Sequence, residues 1–298
     1  IDLATIGTVF SAYPIVFLVG RMLFAAAADS VGLKKFFNVN AFGSLVSVLL
    51  YAFSRSPFSF ACAKAAQSIK DSSLWAVNRN AAYELAGDKS PQMASATVHF
   101  VRALAIAIGA LISGFVVSLT GFSGVFALLA VLSIIMFVPA NMLDIGPSNG
   151  RLTLAELFAQ LRLSSVDRRL WHISLVMCFF QAASALVTGY ILPIFLRSKG
   201  LGYSEISFIA AMYMGVGAFL LPITMRSVPS VKHTIMAQSL LYLPAASLIP
   251  ISEGGVMIFM VLVMALGEST SYIVWESLIR RAIEGSKNVA TAIGVVHI

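Results

Sequence analysis

The sequence predicts an all-α integral membrane protein, and three observations support this fold class. Hydrophobic residues make up 59% of the chain and charged residues only 11%, whereas a soluble domain has about 25% charged residues. The mean hydropathy is +0.90. Long apolar runs alternate with short polar segments. Only helices suit such runs in lipid, because each backbone amide must find its hydrogen-bond partner within its own segment.

The apolar runs predict about nine complete membrane spans and the start of a tenth. A span needs roughly 20 residues, and the runs break at charged residues or at Gly, Pro and Ser. The predicted spans are 3–28, 36–54, 57–83, 93–119, 122–143, 171–197, 204–226, 232–252 and 255–281, with 289–298 as the start of the tenth. Because the chain begins with Ile1 and stops at Ile298 inside an apolar run, we expect it to be a fragment of a longer protein.

The basic residues predict which loops face the cytoplasm. When successive loops are assigned to alternating sides, thirteen lysines and arginines fall on one side and three on the other. The first set is Lys34, Lys35, Arg79, Lys89, Arg151, Arg162, Arg168, Arg169, Arg226, Lys232, Arg280, Arg281 and Lys287, and the second is Arg55, Arg197 and Lys199. Cytoplasmic loops carry the excess of positive charge. We therefore expect a multi-pass protein of the plasma or inner membrane with the first set in the cytoplasm, and the net charge of +7 does not indicate nucleic-acid binding.

The longest polar stretch divides the chain into two halves. We interpret 1–143 as an N-terminal helical bundle, 144–170 as a cytoplasmic loop between bundles, and 171–298 as a truncated C-terminal bundle. Within the loop, LTLAELFAQLRL has apolar residues at helical spacing, which predicts a short amphipathic helix along the membrane surface.

The two halves resemble each other. A shift of 198 positions sets AGDKSPQMASATVH (86–99) over EGSKNVATAIGVVH (284–297), with five identities in fourteen positions. The same shift superposes whole spans and basic loops. Parallel repeats of this kind are typical of transporters.

Four short segments carry a resemblance to a known family. The first segment, AAAADSVGLKK, contains Asp29, Gly32 and Lys34. The second, AKAAQS, contains Lys64 and Gln67, and the third, GALISG, contains Gly109 and Gly114. The fourth, GYILPIFLRSKGLGYSEIS, covers 189–207. The first segment resembles the loop between the second and third helices of the major facilitator superfamily, although Ala25, Ser30 and Leu33 depart from its pattern. The others resemble, in order, parts of its fourth, fifth and seventh helices.

This resemblance implies two pseudo-symmetric helical bundles, with helices one, four, seven and ten around a central cavity. On that basis the chain runs from the second helix to the start of the eleventh. Asp29, Gly32 and Lys34 would form the cytoplasmic gate loop. Gly109 and Gly114 would allow close helix packing.

Charged residues at the middle of two predicted spans are the candidate functional site. Lys70 and Asp71 lie near the middle of the third span, and the 198-residue shift places Lys70 over Glu268 of the ninth. A charge at the bilayer centre costs about 2.5–3.5 kcal/mol, so such residues usually face a cavity or a partner. Gln67 precedes Asp71 by one helical turn, and Tyr272 follows Glu268 by one turn. The sequence therefore predicts a charged cluster at the membrane midplane.

We hypothesise that Glu268 or Asp71 carries a proton while Lys70 pairs with it or with an anionic substrate. Gln181 and Tyr190, on the candidate seventh helix, are further candidates for hydrogen bonds to substrate. The alternative interpretation is a structural ion pair that locks the two bundles together.

Asp71 has a second interpretation within its own helix. Lys64 and Arg79 lie on the same helix, and either side chain is a candidate partner for the carboxylate.

Together these features predict a secondary active transporter of small solutes, a symporter or antiporter, that is coupled to protons and works by alternating access. The expected partners are a small-molecule substrate, protons and the lipid bilayer. A transporter-like scaffold or receptor without flux, and a lipid-modifying membrane enzyme, are the alternatives. No Walker loop, HExxH, GxSxG or CxxC pattern occurs in the sequence, so we predict no enzymatic activity, cofactor or metal site.

Overall fold

The computed structural model describes residues 3–85, 91–145, 191–226 and 230–271, with a few positions between 172 and 179 and between 274 and 278. Every regular element in these residues is a helix. Contacts divide the chain into two compact units, one containing the first three helices and the other containing the helices after residue 190. In chain order the helices are α1 (Leu3–Val31), α2 (Lys34–Phe53), α3 (Pro57–Glu84), α4 (Pro91–Ile135), α5 (Phe137–Met142), α6 (Leu192–Ser198), α7 (Tyr203–Arg226), α8 (Val231–Ala237), α9 (Leu243–Leu248) and α10 (Gly254–Ser269).

The local sequence determines where α3 begins. The Ser56 side chain accepts a hydrogen bond from the Ser59 amide at 3.1 Å, and the Ser56 amide donates to the Ser59 hydroxyl at 3.0 Å. Pro57 occupies the first turn, where a missing amide hydrogen removes no helical bond. The capped helix has 28 residues and is about 42 Å long at 1.5 Å per residue.

Small residues allow α3 to pack closely against α1 and α2. A Cβ atom on Gly20 of α1 would lie 2.6 Å from the Ser72 hydroxyl, and one on Gly43 of α2 would lie 3.0 Å from Lys70 Cβ. Ser72 itself is fully buried. Membrane helices commonly approach through small residues, because lipid supplies no hydrophobic drive between them.

A glycine closes the turn between α1 and α2. Gly32 has a φ of 89°, a conformation that other residues rarely adopt, and its amide donates to the Ala28 carbonyl at 3.1 Å. The next residue, Leu33, is buried in one apolar cluster with Phe36 of α2 and Val77 of α3. The turn thereby fixes the end of α1 and the start of α2 against α3.

Helix α4 bends at Gly121, where φ is 69° and ψ is −170°. The sequence predicted a break between the spans 93–119 and 122–143, and the bend confirms it. Glycine is suited to this position because it has no Cβ atom to clash in the left-handed region.

Prolines interrupt the helical segment that begins with α8. A π-helical turn, Gln238–Tyr242, separates α8 from α9, and a 3-10 turn, Ile249–Ile251, follows α9. Pro244 lacks the amide hydrogen that would bond the carbonyl four residues earlier. Together these pieces form one apolar segment, Val231–Ile251, which packs against α10. The buried core of this unit is Leu192, Leu196, Ile209, Tyr213, Ala245, Ile249, Met257, Val261, Met264 and Ala265.

Among the described residues, five helical segments are long and apolar enough to cross a membrane: Thr5–Val31, Lys34–Phe53, Thr97–Met142, Tyr203–Ile223 and Val231–Ile251. Helix α3 has the length to span but carries several charged side chains along it. The predicted spans 171–197 and 289–298 lie largely or wholly outside the described residues, as does the end of 255–281.

Candidate functional site

An ion pair lies at the middle of α3. Lys70 Nζ is 3.2 Å from Asp71 Oδ1, and the two side chains are 24% and 20% exposed. Neighbouring positions on a helix point about 100° apart, yet the flexible lysine stem brings the ammonium to the carboxylate. Because both partners belong to α3, this pair does not join two helices.

The second oxygen of Asp71 receives hydrogen bonds from two other side chains. The Tyr13 hydroxyl of α1 donates to Oδ2 at 2.9 Å, and Gln67 Nε2 of α3 contributes a longer bond at 3.5 Å. With Lys70 on Oδ1, the carboxylate is held by a phenol, an amide and an ammonium.

Gln67 connects Asp71 to a second lysine. Its Oε1 atom accepts a bond from the Tyr51 hydroxyl of α2 at 2.6 Å and a weaker one from Lys64 Nζ at 3.4 Å. Tyr13, Asp71, Gln67 and Tyr51 therefore form one network that runs through α1, α2 and α3.

Aromatic rings surround the Lys64 ammonium. It lies 4.3 Å from the ring centre of Phe10 and 5.9 Å from those of Tyr13 and Tyr51. The negative face of an aromatic ring attracts a cation, so the rings compensate part of the cost of burial. Among the described residues no carboxylate lies within 4.0 Å of Lys64.

Two bonds from side chain to backbone fix the position of these groups. Asn40 Nδ2 of α2 donates to the Lys70 carbonyl at 2.8 Å, and the Ser68 hydroxyl of α3 donates to the Tyr13 carbonyl at 2.6 Å. Asn40 is 3% exposed and Ser68 is fully buried. The network is therefore anchored to the backbones of α1 and α3 as well as to side chains.

A further cation lies two turns along α1 from Tyr13. Arg21 is 4% exposed, and its guanidinium carbon lies 5.7 Å from the ring centre of Phe17 and 5.6 Å from that of Trp75. Cations within α1 and α3 thus include Lys64, Lys70 and Arg21, together with Arg79, which is 6% exposed further along α3.

The other predicted midplane residues belong to the second unit or lie outside the described residues. Glu268 is 5% exposed in α10, and the neighbouring Gly267 lies against the Tyr242 backbone. Tyr272, Gln181 and Tyr190 lie outside the described residues. The cluster of Lys70, Asp71 and Glu268 therefore stays a prediction.

The predicted gate and packing residues have distinct surroundings. Asp29 is half-buried in the last turn of α1, and Lys34 opens α2 just after Gly32. A Cβ atom on Gly114 would overlap the Ser207 side chain of α7, whereas one on Gly109 would meet nothing within 4 Å.

Sequence reasoning missed Tyr13, Tyr51, Phe10 and Asn40. Each lies on a different helix from its partner in α3, so no spacing along the chain connects them. The signal available was chemical: Tyr13 and Asn40 are polar residues within apolar spans, where a polar group needs a partner. Among the described residues no group of three His, Cys, Asp or Glu side chains is placed to bind a metal.

The long apolar helices and the buried polar network define an integral multi-pass membrane protein. A model of the family described as Major Facilitator Superfamily matches residues 1–298. The chain therefore belongs to the major facilitator superfamily, and it is a membrane transporter. This confirms the predicted family and the all-helical membrane fold.

A solved structure with the same fold supports this assignment. It is the human organic anion transporter MFSD10 (TETRAN), with a TM-score of 0.63 and 16% sequence identity, over 98% of this chain and 75% of that chain. At this identity the similarity shows the fold alone. No curated protein matches the sequence.

Proposed function

We propose that this protein is a secondary active transporter that moves a small organic anion together with protons. The observation that carries the proposal is the Asp71 carboxylate at the middle of α3, held by Lys70, Tyr13 and Gln67. Ionisable residues within membrane spans are expensive to place, and their usual roles are in substrate paths and proton relays.

The ion pair supplies a mechanism for coupling. Lys70 neutralises Asp71 when the carboxylate is charged. When Asp71 takes up a proton, the ammonium loses its partner, and an anion that enters the site restores neutrality. Unpaired charge is costly in a low-dielectric interior, so proton binding and anion binding favour each other. This linkage makes the transporter a symporter of protons and anions.

The charge balance supports an anionic substrate. Within the described part of α1, α2 and α3, Asp71 is the carboxylate near both Lys64 and Lys70, and Lys70 is the one in contact with it. Lys64 is held by rings and by the Gln67 oxygen, which leaves its charge available to a substrate. The solved structure of similar fold is named as an organic anion transporter, which agrees with this class.

Alternating access accounts for the rest of the chain. The bundles 1–143 and 171–298, joined by the loop 144–170, rock about a midplane site. Glu268 completes that site from the second bundle, with Tyr272, Gln181 and Tyr190 as hydrogen-bonding groups. The basic loops face the cytoplasm of a plasma or inner membrane, so the connection between α2 and α3 faces outward.

Flux into proteoliposomes tests this proposal. The full-length protein is reconstituted, a pH gradient is imposed, and uptake is measured across a panel of radiolabelled organic anions and their neutral analogues. We expect uptake of anions that increases with external acidity and collapses when the gradient is dissipated. A folded protein that moves none of them would support a scaffold or receptor instead.

A further inference from the structure

An apolar cleft lies at the end of the first unit where α1 begins and α2 passes into α3. It has a volume of about 540 Å³ and is lined by Thr5, Ile6, Val9, Phe10, Ser54, Arg55, Ser56, Pro57 and Phe60. Sites of about 300–1,000 Å³ with apolar walls and a few polar groups are typical of small-ligand binding. All of its lining residues belong to α1, α3 and the connection before α3.

Arg55 is the charged residue among the described residues of this lining. Its backbone amide donates to the Ser59 hydroxyl at 3.0 Å, which ties its position to the cap of α3. Its guanidinium has no hydrogen-bond or ion-pair partner among the described residues. The neighbouring hydroxyl groups are occupied, because Ser54 bonds the Leu50 carbonyl and Ser56 caps α3. The guanidinium is therefore the polar group that the cleft offers to a ligand.

The apolar wall of the cleft is shared with the surroundings of Lys64. Phe10 lines the cleft and also contacts the Lys64 ammonium at 4.3 Å. Phe60 lines it and packs edge-on against Tyr51, with ring centres 5.0 Å apart. A ligand that moves past the rings of Phe10 and Phe60 comes close to a second cation, the Lys64 ammonium. Among the described residues that line the cleft, none carries a carboxylate that would repel an anion.

We propose that this cleft is a docking site for organic anions that carry one acidic group on an apolar body. The acidic group pairs with Arg55, whose planar fork matches the two oxygens of a carboxylate or sulfonate. The apolar body lies on Phe10 and Phe60. The inference rests on the proposed function for its role in transport, because it makes the cleft the place from which substrate reaches Lys64.

Photolabelling of the full-length protein in phosphatidylcholine nanodiscs tests the site. The probe is decanesulfonate that carries a diazirine on its chain, and the labelled residues are mapped by mass spectrometry. We expect labelling within 5–10 and 54–60. Unlabelled decanesulfonate should compete for it, and decanol should not. In Arg55→Gln the concentration needed for half-maximal labelling should rise about tenfold or more, the effect of losing a charged hydrogen bond.

Two variants serve as controls. Arg55→Lys keeps the charge and should restore part of the binding, and Lys199→Gln removes a basic residue from a different loop and should leave labelling unchanged. Equal labelling in Arg55→Gln, or equal competition by decanol, would overturn the proposal. Protection by added phosphatidylglycerol but not by decanesulfonate would do the same, since the site would then be one for lipid.

Parallel flux measurements separate this inference from the proposed function. If the cleft is labelled but the protein moves no anion, the result would support the docking site and contradict its role in transport. Proton-coupled anion uptake that is unchanged in Arg55→Gln would support the transporter and overturn the docking site.

Discussion

The Tyr13 hydroxyl lies 2.9 Å from Asp71 Oδ2, a hydrogen bond between residues 58 positions apart. It joins α1 to the carboxylate at the middle of α3. A second bond, from the Ser68 hydroxyl to the Tyr13 carbonyl, holds the same two helices together. Movement of α1 relative to α3 would therefore change the surroundings of Asp71, the residue that we propose as the proton carrier.

Replacing Tyr13 by Phe tests this connection. The substitution removes one donor to the charged carboxylate, and the Ser68 bond to the backbone is kept. The Asp71 carboxylate then keeps its contacts with Lys70 and Gln67 but loses its hydrogen bond from Tyr13, so we expect the pH dependence of anion uptake to change from that of the wild type. The measurement is the pH profile of uptake into proteoliposomes.

Tyr51→Phe is the matched control for Tyr13→Phe. It makes the same chemical change but removes the bond to Gln67, one step away from Asp71. Its pH profile should move less than that of Tyr13→Phe. Equal profiles for the two variants would argue that the Tyr13 bond has no special effect on the proton.

Lys64→Met separates function from stability. A methionine of similar length removes a half-buried cation, and a charged side chain within a membrane span is costly to place. We expect an unchanged or higher melting temperature together with anion affinity reduced about tenfold or more, the scale of a lost charged hydrogen bond. Unchanged affinity would remove Lys64 from the substrate path.

Two glycines on α4 give a matched pair for helix packing. Gly114→Ala places a Cβ atom against the Ser207 side chain, so we expect a loss of about 1–3 kcal/mol from overpacking. Gly109→Ala meets nothing within 4 Å and should be neutral or stabilising by up to about 1 kcal/mol. Melting temperatures in nanodiscs compare the two, and equal values would contradict the packing described for α4 and α7.

Glu268→Gln tests which carboxylate carries the proton. The substitution keeps the shape of a side chain that is 5% exposed and removes its ability to ionise. Because Asp71 is the carboxylate paired with Lys70, we expect Glu268→Gln to retain pH-dependent uptake at a reduced rate. If the pH dependence of uptake disappears in Glu268→Gln and is kept in Asp71→Asn, Glu268 of α10 carries the proton and Asp71 does not.

Much of the helical plan could be predicted from the sequence, because hydropathy and breaking residues act locally. The spans 36–54 and 57–83 agree with α2 and α3 to within two residues at each end. The bend at Gly121 lies where the sequence predicted a break. The π-helical turn Gln238–Tyr242 was not predicted, since a shifted hydrogen-bond pattern leaves hydropathy unchanged.

The candidate site could be predicted only along α3 itself. Gln67 and Asp71 lie one turn apart, so periodicity placed them on one face, and their hydrogen bond follows from that spacing. The pairing of Asp71 with Lys70 instead of Lys64 depends on how a flexible side chain folds back. The contacts from Tyr13 and Tyr51 depend on helix packing, which the order of residues along one helix does not contain.

The most direct test of coupling measures anion binding as a function of pH. The melting temperature of the full-length protein in nanodiscs is recorded with a panel of alkyl and aryl sulfonates, which stay ionised at mildly acidic pH. A ligand at 100 times its dissociation constant adds about 2.7 kcal/mol. We predict a larger shift at mildly acidic than at mildly alkaline pH for the wild type, and the same large shift at both for Asp71→Asn. A wild-type shift that does not change with pH, or an Asp71→Asn variant that keeps the wild-type pH dependence, would contradict the coupling of proton and anion through Asp71 and Lys70.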